Sequence, residues 1–313
     1  MPTTDYSVIS FPSIGLEINP ARSLPITANF SIYFYGVIIT VGLLLAMIYG
    51  LRRGRQFGIK SDEIIDGVLW VLPAAIIFAR AYYCIFEWER FAANPVSVFN
   101  LRQGGIAIYG AVIGAGLATF IYCKVKKLKV TAILDLVALG FLIGQAVGRW
   151  GNFFNREAFG SVTDSFFRMG LFNEATQQFE YVHPTFLYES VWNLAGFVLL
   201  HFLSKKRTYD GQIALGYVAW YGFGRTLIEG LRTDSLMLGP FRVSQMLAAI
   251  TCAAAVVILF LMSFRRHDKQ AMFVNVVAAR EAELDNEEEA AEEAEQEQEE
   301  QAAEVQTDET EQE

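Results

Sequence analysis

Charge is scarce in this chain. Of its 313 residues, 19% are Asp, Glu, Lys or Arg, against 53% hydrophobic and 14% aromatic. That balance excludes an ordinary soluble domain of this length. Cysteine is nearly absent: Cys84, Cys123 and Cys252 each lie in or beside an apolar run. Their spacing excludes a disulfide framework and a zinc site. No metal, no cofactor and no nucleic-acid partner is expected. The N-terminus lacks a basic stretch ahead of a short apolar core, so no cleavable signal peptide is expected, and the first helix serves as the insertion signal. Lys and Arg are missing altogether from residues 281–313, which hold 17 Asp or Glu. The overall net charge of -9 therefore belongs to the tail, because the rest of the chain sets 25 basic residues against 17 acidic ones, a net of +8.

What the chain has instead is long apolar runs. They are about 18 to 23 residues each, enough at 1.5 Å per residue to cross the hydrocarbon core. Helices are the natural spanning form, since lipid leaves no backbone group unpaired. The expected fold is all-α: a polytopic membrane protein with seven transmembrane helices, over about 31–51, 64–86, 105–123, 132–148, 184–203, 212–231 and 243–264. Basic clusters follow the first, third, fifth and seventh: Arg52, Arg53, Arg55 and Lys60; Lys124, Lys126, Lys127 and Lys129; Lys205, Lys206 and Arg207; Arg265, Arg266 and Lys269. The positive-inside rule then puts the N-terminus outside and the C-terminus in the cytoplasm. Residues 1–30 read as an N-terminal extracytoplasmic segment, with short strands or an interfacial helix. Residues 31–266 read as the membrane domain, with 149–183 as a small extracytoplasmic head. Residues 267–313 read as a cytoplasmic acidic tail, disordered or transiently helical.

This topology gathers scattered polar residues at one level. Tyr35, Arg80, Tyr109, Arg149, Asn152, His183, Tyr188, Glu189, Arg225, Glu229 and Arg232 all fall toward the outer ends of their helices, whereas the inner halves are poorer in charge. On the sixth helix, Tyr221, Arg225, Glu229 and Arg232 lie at about 0°, 40°, 80° and 20°, one stripe at 100° per residue. Charge within a membrane helix costs roughly 2.5–3.5 kcal/mol per Arg even on lenient scales, so this stripe does more than pack. Unpaired guanidinium suits an anionic ligand, because Arg presents a planar fork to phosphate. The densest stretch, Gly148 to Gly160, holds two arginines, two asparagines, one glutamate and three glycines in thirteen residues. It reads as an anionic head-group site. Gly140, Gly144 and Gly148 form a small-residue stripe for close helix packing. Asp66 and Asp135 read as interfacial caps. His183 opens a helix just ahead of Pro184, and is either an imidazole base or a structural hydrogen-bonding residue.

These motifs resemble a family. Gly148-Arg149-x-Gly151-Asn152-Phe153-x-Asn155-x-Glu157-x-x-Gly160 is similar to the signature of bacterial prolipoprotein diacylglyceryl transferases. So are His183-Pro184-Thr185-x-Leu187-Tyr188-Glu189, Tyr221-Gly222-x-x-Arg225-x-x-x-Glu229-x-x-Arg232, Tyr35-Gly36, and Gly104 to Gly110. The resemblance implies transfer of the diacylglyceryl group of phosphatidylglycerol to the lipobox cysteine thiol of a preprolipoprotein, with release of glycerol phosphate. It would act in the outer leaflet of the bacterial cytoplasmic membrane. It also implies roles. Arg149, Arg225, Tyr109 and Glu229 would be catalytic. Tyr35, Arg80, Asn152, Asn155, Glu157, Gly160, His183, Tyr188, Tyr221 and Arg232 would bind substrate. Many relatives carry histidine where this chain has Tyr109. The base that activates the thiol is therefore open between Tyr109, His183 and an arginine field that lowers the thiol pKa unaided. Two other classes remain: a transporter or flippase for an anionic lipid or solute, and a membrane scaffold working through its tail.

Overall fold

The computed structural model describes residues 8–27, 30–100, 104–173, 177–233, 236–288 and 290. It is mostly helical. In chain order the helices are α1 (Phe34–Arg53), α2 (Ser61–Phe86), the short α3 (Trp88–Ala92), α4 (Ile108–Val125), α5 (Val130–Asn155), α6 (Thr185–Ser204), α7 (Gln212–Glu229) and α8 (Val243–Ser263). A further helix, α9, covers residues 273–288. Six of them, α1, α2, α4, α5, α6 and α8, are long and apolar enough to cross a membrane. The seventh expected span, α7, forms a helix of 18 residues but is less apolar, with Gln212, Arg225 and Glu229 in its sequence. It packs among α5, α6 and α8, where protein and not lipid surrounds its polar stripe.

Small residues set the packing. On the central helix α5, Gly144 sits against Gly42 of α1, where an added Cβ would meet the Gly144 carbonyl at 3.3 Å. The stripe read from the sequence thus joins α1 to α5. On α4, Gly110 and Gly114 admit Phe78 of α2. The molecule therefore has two groups: α5 with α1, α6, α7 and α8, and the α2–α4 pair, which touches α1 and α5 only sparsely. Part of that contact is at one end, where Ile64 closes on Gly54.

All four basic clusters meet at that end. Arg53 donates to Ser204 Oγ at 2.9 Å, Arg207 to the Gln56 carbonyl at 2.6 Å, and Lys129 pairs with Asp210 at 3.0 Å. Asp135 is a cap, as expected, but for a neighbouring helix: its carboxylate accepts from Gly211 N and Ala214 N, both at 2.8 Å, at the start of α7. The segment after α8 returns beneath the bundle. Phe273 N donates to Asp210 Oδ2 at 2.7 Å, its ring packs against the cluster of Phe57, Ile59, Leu136, Leu139, Leu142, Leu200 and Ile213, and Glu281 pairs with Lys60 at 2.8 Å. The start of the segment expected as a tail is thus docked and helical. The acidic stretch 291–313 lies outside the described residues.

The opposite end carries a small head. β1 (Ile9–Phe11) and β2 (Leu16–Ile18) join β5 (Met169–Asn173) and β6 (Gln178–Val182) in one antiparallel sheet, ordered β2-β1-β5-β6. The N-terminal segment and the 149–183 insertion therefore share a sheet. Ile9, Met169, Leu171 and Val182 bury one face of it on Phe153 and Phe186, which seats the sheet on the ends of α5 and α6. Two hairpins, β3 (Ser23–Thr27) with β4 (Phe30–Tyr33) and β7 (Met237–Leu238) with β8 (Phe241–Arg242), lead into α1 and α8.

Candidate active site

The first correction to the sequence reading is the length of α5. It continues past Gly148 to Asn155, because Gly151 and Phe153 are buried and packing carries the helix beyond the hydrocarbon run. It stops at Arg156, which takes the left-handed conformation with φ 55°. Arg149 and Asn152 are therefore one turn apart on a helix rather than in a loop. An added Cβ at Gly151 would lie 2.7 Å from the ring of Tyr35, so this glycine lets the first turn of α1 reach the site. Gly160 is required in the same way: a Cβ there would lie 2.7 Å from His183 Cβ, where Gly160 N donates to the His183 carbonyl at 2.9 Å.

Three arginines from three segments meet on one carboxylate. Glu189, 4% exposed, lies on α6 one turn inside its start. Its Oε2 is 2.5 Å from Arg149 Nη2 and 3.3 Å from Arg225 Nη1, and its Oε1 is 3.5 Å from Arg232 Nη1. Glu229 lies 2.6 Å from Arg225 Nη2 and 3.9 Å from Arg232 Nε. The close Arg225–Glu229 approach is off the hydrogen-bonding direction, so Glu229 Oε2 has charge contact without a hydrogen bond. Among the described residues, three guanidiniums face two carboxylates here. On the flanks Arg242 donates to the Glu229 carbonyl at 2.7 Å, and Glu157 accepts from Asn152 Nδ2 at 2.9 Å and Asn155 Nδ2 at 3.3 Å. Asn152 Oδ1 also accepts from Arg149 Nη1 at 3.4 Å, which ties the signature stretch to the cluster.

Other expected residues line or support this cluster. Tyr221 lines, with Glu189, Trp192, Asn193, Arg225 and Ile228, a crevice too narrow for a water molecule, and stacks on Tyr217 at 5.7 Å. Trp192 and Trp220 stack at 4.4 Å, and each indole donates to the other's carbonyl, at 3.0 and 2.9 Å. This clasp holds α6 and α7 in register one turn below the arginines. His183 Nδ1 and Tyr188 OH are 3.2 Å apart, and the His183 backbone pairs with Gly160 and Ser161.

Two expected residues do not join it. Arg80 is 7% exposed on α2, and its guanidinium donates to five carbonyls: Val98, Gly104, Gly105, Ser97 and Asn100, at 2.7 to 3.1 Å. Arg has five N–H donors, so none remains for a lipid phosphate. The apolar surround of Phe91, 5.1 Å beneath the guanidinium, completes a clamp on the 95–105 loop. Tyr109 stands in the first turn of α4, 41% exposed, with its ring against Tyr82 at 6.5 Å. It belongs to the α2–α4 pair and not to the group that bears the arginines. Conversely, Glu189 is central here and Arg242 flanks it, without a role having been read for either from the sequence. The position of Glu189 at the end of the His183 motif, four residues from Asn193 and on the face of α6 toward α7, was the available signal. Among the described residues, no group of three His, Cys, Asp or Glu is placed to hold a metal ion.

The family model described as prolipoprotein diacylglyceryl transferase matches residues 23–261, most of the chain. The chain belongs to the prolipoprotein diacylglyceryl transferase family. Among its relatives, the Bacillus cytotoxicus phosphatidylglycerol–prolipoprotein diacylglyceryl transferase is 46% identical over 225 residues, 70% of this chain and 83% of the relative. The protein of that name from Bacillus cereus is 43% identical over 248 residues, 77% of this chain and 88% of the relative. The one from Limosilactobacillus reuteri is 41% identical over 254 residues, covering 79% and 91%. Within this transferase family member, the arginine cluster lies wholly inside the matched region, whereas the docked segment 267–288 lies outside it.

Proposed function

We propose that this protein transfers the diacylglyceryl group of phosphatidylglycerol to the lipobox cysteine thiol of a preprolipoprotein, and that the arginine cluster is where it does so. One observation carries the reading: Arg149 from α5 and Arg225 and Arg232 from α7 and its exit converge on Glu189. The sulfur of the peptide attacks the glyceryl carbon bonded to the phosphate oxygen. The S–C bond forms, the C–O bond breaks, its electron pair stays on phosphate, and the thiol proton ends on the glycerol phosphate or in water. The difficult charge is the one that develops on the leaving oxygen. Preorganised guanidinium in a water-poor site stabilises it. The same field favours thiolate, the nucleophilic form of cysteine. The substrate supplies the thiol, so the chain's own cysteines take no part.

Arg149 and Arg225 hold phosphate in this reading, Arg232 and Asn152 complete the seat, and Glu229 orients Arg225. Glu157 with Asn155 fixes Asn152, while Gly160, His183 and Tyr188 shape the head above it. Tyr35 and Tyr221 line the pocket. Tyr109 forms the wall of a lateral approach between the α2–α4 pair and the rest. The protein is a multi-pass membrane protein of the bacterial cytoplasmic membrane, with its N-terminus outside and its basic end in the cytoplasm. That orientation puts the arginines at the outer leaflet. Purified protein incubated with phosphatidylglycerol vesicles and a synthetic lipobox peptide should add one diacylglyceryl mass to the peptide. No adduct with a folded preparation would reject the proposal.

A further inference from the structure

The chain joins the α2–α4 pair to the rest of the bundle at one end only. Residues 54–60 lead from α1 to α2, residues 126–129 lead from α4 to α5, and both turns lie at the basic end. At the far end residues 87–107 link α2 to α4 through α3 and join neither to the other group. Packing repeats the pattern, since the pair touches α1 and α5 only sparsely. Each turn holds a residue in the left-handed conformation, Gly58 with φ 77° and Lys127 with φ 57°. Two short turns side by side at one end of a helix pair have the form of a hinge.

The segment after α8 lies across both turns. On the first, an added Cβ at Gly58 would lie 2.8 Å from Val274 Cα, and Glu281 pairs with Lys60 at 2.8 Å. On the second, Lys129 donates to the Ala271 carbonyl at 3.1 Å, and Phe273 packs on the cluster of Tyr122, Cys123 and Leu128 at the end of α4. The same ring packs on the cluster that α5, α6 and α7 share, so one side chain bridges the two groups. Asp210 anchors the crossing. Its side chain is fully buried, accepts from Phe273 N at 2.7 Å and pairs with Lys129 at 3.0 Å. His267 stacks on Tyr209 at 4.3 Å and fixes where the crossing begins.

We propose that residues 267–281 are a strap that locks this hinge, holding the α2–α4 pair at a fixed angle and so setting the width of the seam at the arginine end. The strap lies outside the region matched by the family model, which ends at residue 261. The proposal goes beyond the transferase reading, and its test needs no turnover.

The test uses the full chain in lipid nanodiscs, with the three native cysteines replaced by alanine and spin labels read by pulsed electron resonance. One label pair, Val37→Cys on α1 with Val112→Cys on α4, spans the seam at exposed positions. A control pair, Val37→Cys with Val191→Cys on α6, stays within the other group. α4 has 18 residues and is roughly 27 Å long, so a swing of about 10° moves its far end by roughly 5 Å. With the strap in place the α1–α4 distances should form one narrow distribution. In a chain ending at Arg266, and in Phe273→Ala, that distribution should broaden and shift by roughly 5 Å while the α1–α6 distances hold. Unchanged α1–α4 distances overturn the proposal, even with a lowered melting temperature, because a segment that adds only stability gives that result. Broadening of both pairs also overturns it, since the whole bundle has then loosened. If the shortened chain does not fold, Phe273→Ala carries the test on the same terms. A protein that transfers nothing to a lipobox peptide sinks the transferase reading and leaves the strap standing.

Discussion

Removing Arg149 tests the site most directly, and its size can be worked from the contacts. Arg149 makes the shortest approach to Glu189, 2.5 Å, and is the one guanidinium also tied to the signature stretch through Asn152. Arg149→Ala removes one of the three guanidiniums that meet on Glu189. Glu189 keeps Arg225 at 3.3 Å and Arg232 at 3.5 Å, so no buried carboxylate is stranded, and the stability cost should stay at about 1–3 kcal/mol. Catalysis should suffer more. Deleting one preorganised donor to a developing oxyanion costs about 10²–10³ in kcat, and here a whole charge leaves with it. We expect kcat/KM to fall at least a hundredfold. Arg149→Lys keeps the charge but loses the planar fork, and should retain roughly a tenth of the activity. Initial rates of peptide lipidation, read by mass spectrometry on detergent-purified protein with matched melting curves, give both numbers. A folded Arg149→Ala enzyme with wild-type rate would refute the assignment of this cluster as the active site.

Arg80→Gln strands the carbonyls of the 95–105 loop and should lower stability by about 3–5 kcal/mol, seen as a reduced melting temperature in detergent, while activity at a permissive temperature stays within severalfold of wild type. Tyr109→Phe removes a hydroxyl from the α2–α4 pair and should leave transfer within a few-fold; a hundredfold loss would make Tyr109 the base. Gly58 has φ 77°, and a Cβ there would meet Val274 Cα at 2.8 Å. Gly58→Ala should cost about 1–3 kcal/mol and release residues 267–288, detected as faster hydrogen exchange in α9. In liposomes holding a leaflet-quenchable anionic lipid and no peptide, the protein should not speed lipid exchange between leaflets; rapid exchange would restore the flippase reading.

Periodicity carried the helices, because lipid demands unbroken apolar length and every observed span of the six lies within a few residues of its expected place. Boundaries moved where packing outlasted the hydrocarbon run, as at Asn155. The stripe Tyr221, Arg225 and Glu229 was legible because a helix makes residues three and four apart neighbours, whereas Arg232, expected on the same stripe, lies past the end of α7 and bridges to Gly160. Glu189 was harder to read: a single carboxylate announces nothing until the arginines from α5 and α7 are known to reach it. Arg80 misled for the opposite reason. Its level in the membrane could be inferred, but the carbonyls that absorb its five donors come from a loop whose course no sequence pattern fixes. Short strands were expected near the N-terminus, but their sheet escaped because β1, besides its hairpin with β2, pairs with β5 more than 150 residues away, in the insertion after α5.

What lies below the arginines weighs against a conduit. A path for an anion needs donors or cations along its whole length, and water or ligand to satisfy them. Here Gln145 donates to Tyr217 OH at 2.9 Å and Tyr49 OH meets His201 Nδ1 at 2.9 Å, while the buried atoms without a hydrogen-bond partner at this depth, Asn193 Oδ1 and Gln145 Oε1, are acceptors that offer an anion nothing. Beneath them Leu139, Leu142, Leu200 and Ile213 are at most 4% exposed and close the space between α5, α6 and α7 with Phe57 and Ile59. The docked segment 267–288 then adds Phe273 to that plug. A buried apolar seal between the arginines and the basic end admits no charged head group without opening several helix contacts at once. The sparse seam lies elsewhere, along the side of the bundle between the α2–α4 pair and α1 with α5. In the transfer we propose, an anionic lipid would approach from the side with its chains still in hydrocarbon and would not have to pass this seal. Chemistry on one side of the membrane needs that geometry, and transport across it needs the opposite one.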